Sequence, residues 1–131
     1  MLGETGTNVV INPLSNTKLK SGIPPILGLQ EAGVSLGIGC DNCSCSDAQN
    51  MFQAMKLFCL MVAVSNHEPS PAQSGAAFAA ATTGGAHAIR RNDLGKIEVG
   101  AKADISLMDP TDPSYIPLNS ATRQLVYTEG G

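Results

Sequence analysis

Residues 32–47 read AGVSLGIGCDNCSCSD. Gly33 punctuates the start, residues 34–38 form a short apolar run suited to a strand buried on both faces, and Gly39 leads into a loop of Cys, Ser and Asn. This pattern delivers one carboxylate, Asp41, to the carboxyl end of a strand. In parallel α/β architectures chemistry is assembled at that edge, because strands fix geometry while the loops are free to vary. Asp41 is therefore the first candidate functional residue, as a metal ligand that can also accept a proton. A competing reading makes it a loop-bracing carboxylate that accepts hydrogen bonds from Ser44 and Ser46.

Working outward, residues 8–11 (NVVI) predict a strand that stops at Asn12-Pro13, since proline removes a ladder donor and biases its predecessor away from helix. Residues 24–32 predict a short helix with Pro24 and Pro25 in its first turn and Gly33 just past its end. The two strands are expected to be parallel neighbours joined by a right-handed crossover. Ser46 with Gln49 predicts a capping box opening a helix to about residue 64, on which Met51, Met55 and Met61 fall at core spacing. Ser70, Pro71 and Gln73 repeat the start signal for a helix to about residue 83, where Gly84-Gly85 is expected to interrupt it. Residues 97–99 and 103–108 then predict a hairpin or small sheet, and residues 119–127 a terminal helix.

Composition narrows the function. With 131 residues one domain is expected, because a complete eight-stranded barrel needs ~250. A net charge of −3, no Trp, two Tyr and three Phe leave neither the basic stripe nor the stacking platform of a nucleic-acid binder. The opening MLGETGTN lacks the charged and apolar regions of a secretory signal, and the most apolar run, residues 51–64, is too short to span a membrane. A cytoplasmic protein with no membrane partner is expected.

The remaining polar residues admit two readings each. Ser15 and Asn16 lie just past the first strand, where a hydroxyl and an amide can pin the active-site loop or touch substrate, or merely satisfy their own turn. Cys40, Cys43 and Cys45 form CxxCxC with Cys59 one element away; structural zinc usually needs a second paired knuckle, so small loop residues are the favoured reading. His67 and His87 stand apart, in no HxH pair.

Taken together, these pieces resemble the amidohydrolase superfamily, in its aminohydrolase and deaminase branch. The resemblance is carried by Asn12-Pro13, Ser15-Asn16, Lys18-Leu19, Ser21-Gly22-Ile23, Pro25, Ala32-Gly33-Val34, Gly37, Gly39 and Asp41, with Met51 and Met55 following. A second block supplies Ala81-Thr82, Gly85-Ala86, Ala88, Gly95, Ile97-Glu98, Gly100 and Ala103-Asp104. The resemblance implies an α/β fold in which residues 1–92 are the last two strand-helix units of a (β/α)8 barrel and residues 93–131 begin a small β domain with a terminal connector. It also implies a hydrolase of C–N bonds other than peptide bonds, deaminating a small heterocyclic amine with water activated by a divalent metal, zinc or iron. Asp41 would be catalytic residue and metal ligand, with Ser15 and Asn16 in a substrate loop. The family's HxH pair and further histidine ligands have no counterpart here. An internal to C-terminal fragment is thus expected, inactive and metal-free by itself and prone to self-association through exposed strand edges. The alternative is a non-catalytic packing or interaction module that keeps only the scaffold.

Overall fold

The computed structural model describes residues 2–65 and 73–130. Strands β1 (Asn8–Ile11) and β2 (Ser35–Ile38) form a two-stranded parallel sheet, with Asn8 opposite Ser35 and Ile11 opposite Ile38. Adjacency and direction agree with the sequence reading. The connection carries two helices rather than one, α1 (Pro13–Lys18) and α2 (Ile26–Glu31). Pro13 occupies the first turn of α1, where its missing N–H leaves no helical bond unmade. The prolines expected inside α2 precede it instead, with Pro25 at its N-cap.

After β2 come α3 (Cys43–Ser46), α4 (Met51–Ser65), α5 (Ser74–Ala79), a π-helical turn (Ala80–Gly84) and α6 (Gly85–Ala88). A 3-10 turn (Pro113–Tyr115) and α7 (Ala121–Tyr127) complete the described elements. The core is built where Ile11, Leu36 and Ile38 of the sheet meet Met55, Phe58 and Val62 of α4 and Ala77, Ala80 and Val126. Phe58 and Val126 are fully buried. Met55 and Met61 are buried and Met51 is half-buried, as their helical spacing predicts.

Three local expectations are corrected. Ser46 and Gln49 do not form a capping box: the Ser46 hydroxyl donates to the carbonyls of Asn42 and Ala48, and Asn50 caps α4 by accepting from the Gln53 N–H at 3.1 Å. Gly84-Gly85 does not end the helix. The chain passes through it as a π turn, and a Cβ at Gly84 would lie 2.0 Å from the Leu36 carbonyl oxygen, so glycine is what lets the helix lie against β2. Finally, residues 97–99 and 103–108 form no hairpin. The Ala101 N–H is spent on a local turn to the Glu98 carbonyl and the Lys102 N–H on the Asp93 carbonyl. Ile97, Val99 and Leu107 are strongly exposed, so the apolar face that would reward pairing has nothing to cover it. His67, Ser70 and Pro71 lie outside the described residues.

Candidate functional site

The carboxyl ends of β1 and β2 open on the same edge, where the Gly39 N–H extends the ladder to the Ile11 carbonyl at 2.9 Å. Asn12 follows β1 here, its Oδ1 so close to the Gly39 backbone that a Cβ at Gly39 would lie 2.3 Å away. Two residues on, Asp41 takes a left-handed backbone (φ 59) and projects an exposed carboxylate.

That carboxylate is held from two sides. The hydroxyl of Ser15, a buried residue of α1, donates to it, and the Asn42 N–H donates to Oδ1 at 2.8 Å. Both bonds favour the charged form, with Ser15 the stronger influence, and hold Asp41 below the ordinary carboxylate range. Asp41 is therefore anionic at neutral pH, the state a metal ligand requires. Its backbone carbonyl accepts a hydrogen bond from Gln49 Nε2 at 2.6 Å.

Beyond Asp41 the loop folds into the single turn of α3. The Asn42 side chain caps it, accepting from the Cys45 N–H at 3.0 Å, and the Ser44 hydroxyl also donates to that oxygen. Ser44 and Ser46 thus serve the turn rather than Asp41. Lys18 pairs with Asp47, itself left-handed (φ 61), and lies 3.5 Å from the Ser44 carbonyl, tying the far end of α3 to α1. Ser15 and Lys18 are three residues apart and so share the face of α1 turned to this loop.

Of the residues singled out in the sequence, Asp41 and Ser15 are brought together, and Asn16 is not. Its backbone donates to Asn12 and accepts from Ser21, both at 2.9 Å. Gln49 and Lys18 are the supports the sequence reading missed. The i, i+3 relation of Ser15 to Lys18 is a usable signal for the second; for Gln49 the capping-box pattern pointed elsewhere.

Among the described residues no three His, Cys, Asp or Glu side chains form a group that could hold a metal ion. The four cysteines are free thiols and do not converge as ligands. Cys59 is buried in the core and hydrogen-bonded to Tyr127, and burial pushes its thiol and that of Cys40 up, away from the thiolate that would bind metal. His87 is exposed on α6. Asp41 thus suits one position in a metal's coordination shell, but the described residues do not amount to a metal site.

Comparison with known proteins places this geometry. A family model described as "Amidohydrolase family" matches residues 1–129. The chain is 37% identical, over all of its length, to 5-methylthioadenosine/S-adenosylhomocysteine deaminases of Nitratidesulfovibrio vulgaris and Thermococcus kodakarensis. It spans about 30% of the length of these curated relatives. Among solved structures, an adenosine deaminase from Xanthomonas campestris with bound zinc superposes on 97% of this chain and 29% of its own, with a TM-score of 0.90 and 37% identity. E. coli guanine deaminase superposes on 95% of this chain and 29% of its own, with a TM-score of 0.79 and 28% identity. With the family model matched almost end to end, this chain belongs to the amidohydrolase family.

Proposed function

We propose that this chain is part of a metal-dependent aminohydrolase in which Asp41 is one of the metal's ligands. The observation that carries the reading is an ionised carboxylate at the carboxyl end of a parallel strand, held by a buried serine from the neighbouring strand's helix. Residues 1–92 correspond in this reading to the last two strand-helix units of a (β/α)8 barrel, and residues 93–131 to the start of a small β domain. The parallel β1–β2 pair with helices in its crossover supports the first assignment. The full protein removes an exocyclic amine from a small purine-like heterocycle: a carbon–oxygen bond to water replaces the carbon–nitrogen bond, and ammonia leaves.

A divalent metal, zinc or iron, would supply Lewis acidity toward that water, with its other ligands outside the described residues. What this chain contributes is position and charge. Ser15 and the Asn42 N–H keep the Asp41 carboxylate anionic and oriented. Because its pKa is lowered, Asp41 is better suited to holding charge than to holding a proton at rest, and ligation is its principal role. Four free thiols fit a reducing compartment, so the location proposed is the cytoplasm.

The test is Asp41→Asn in the full-length protein. Nearly isosteric, the amide keeps the shape and loses the negative charge. Ammonia release from purine nucleosides is expected to fall by ~10²–10⁴ or more, with bound zinc reduced and the circular dichroism spectrum unchanged. Undiminished turnover in that variant contradicts the reading and favours a scaffold without catalysis.

A further inference from the structure

The geometry points to Gln49 as a positioning residue for Asp41, which fixes the ligand's backbone while Ser15 fixes its carboxylate. This rests on the reading of Asp41 as a metal ligand and adds the means by which it is held. Asp41 is a non-glycine residue with φ 59, a conformation that L-residues adopt sparingly and that must be maintained by its surroundings. Ser15 bonds the carboxylate from α1, but the Asn42 N–H that also bonds it shares one planar peptide unit with the Asp41 carbonyl, so that donor stays in place only while the peptide plane is held. The side-chain bond that fixes the peptide is Gln49 Nε2 to the Asp41 carbonyl, at 2.6 Å.

Gln49 is well placed to be rigid. It immediately precedes Asn50, the cap of α4, and that helix buries Ala54, Met55 and Phe58 in the core. The Gln49 bond therefore ties the candidate ligand to the most deeply packed helix, and the Ser15 bond ties it to α1. Between the two anchors α3 is closed off at its far end by Lys18 on Asp47. Gln49 itself is exposed and bonds nothing in the core, so replacing it leaves the hydrophobic packing intact.

The experiment uses the full-length protein with Gln49→Met, which matches the length but donates no hydrogen bond, and Gln49→Ala, with Asp41→Asn as control. Zinc affinity is measured by chelator competition, kcat and KM by ammonia release, and the Asp41 carboxyl titration by carbon-13 NMR on the metal-free protein. Both Gln49 variants are expected to lose ~10–100-fold in zinc affinity, as supports behind a ligand typically do. They should lower kcat more than they raise KM, and move the Asp41 titration upward toward the ordinary carboxylate range. Thermal unfolding should stay within about a degree or two of the parent, as for other exposed substitutions. Parental zinc affinity and an unmoved Asp41 titration in both Gln49 variants, with zinc lost in Asp41→Asn, would overturn the positioning role alone. Zinc retained in Asp41→Asn would overturn the ligand assignment, and the positioning role with it.

Discussion

Asp41 is exposed, yet its carboxyl ionises below the usual range because a buried hydroxyl and a backbone amide both donate to it. Removing the hydroxyl is the direct probe. Ser15→Ala is expected to raise the Asp41 titration midpoint toward the ordinary value of about 3.9, read by carbon-13 NMR; an unmoved midpoint would mean that Ser15 does not hold the carboxylate. A carboxyl whose folded pKa is depressed contributes stability above its unfolded pKa and loses it as pH falls through the folded value. Asp93, drawn down to about 2 chiefly by its hydrogen bonds from Arg91, behaves likewise: its contribution begins to fade below about pH 4 and is gone below about pH 2. Asp41 was legible in the sequence because glycine punctuation and an apolar run mark a strand end. Its partner was ambiguous, because Ser44 and Ser46 are near in sequence whereas Ser15 reaches it only through the fold. Asn42 took the nearby hydroxyls by offering cap oxygens of its own.

At the scale of elements, packing decides where local signals compete. The strands, α4 and α7 follow their patterns, and Ser120 caps α7 through the Arg123 N–H as a short polar residue before a helix should. Phe58 in the middle of α4 is wholly buried among the sheet and neighbouring helices. Phe58→Ala is expected to cost about 3–5 kcal/mol by urea denaturation, and a loss under about 1 would show that α4 is not the centre of the core. The π turn resisted sequence reading for a physical reason. A glycine pair ordinarily argues for a break, but here the missing side chain of Gly84 admits the Leu36 carbonyl. Gly84→Ala must push a Cβ into that oxygen and is expected to cost about 1–3 kcal/mol, whereas Gly75→Ala, with open space around it, should be neutral or stabilising. The hairpin expected near residues 97–108 rested on two short apolar runs separated by Gly100, and such runs cannot build a strand pair without a surface to pack against.

At the scale of the molecule, the described sheet has two strands and therefore two unpaired edges. Near residues 95–108 lies a cavity of about 510 Å³ lined by Met51, Phe52, Phe78, Ile97, Ile105 and Met108 among others, and Ile97, Val99 and Leu107 face solvent. Unpaired ladder groups and apolar surface favour association. The isolated 131-residue chain is expected to sediment as oligomers or aggregates at ~10 µM and above; a compact cooperative monomer would count against the reading of residues 1–92 as the last two strand-helix units of a barrel. In the proposed function Asp41 is one ligand of a set that the described residues do not complete. A catalytic zinc commonly takes about three protein ligands and a water, and among the described residues no such group exists. Metal analysis of the dialysed 131-residue chain, paired with an ammonia-release assay on purine nucleosides, tests this most directly. Far less than one equivalent of zinc and no ammonia is the expected result; a full equivalent of retained zinc with measurable deamination would contradict it.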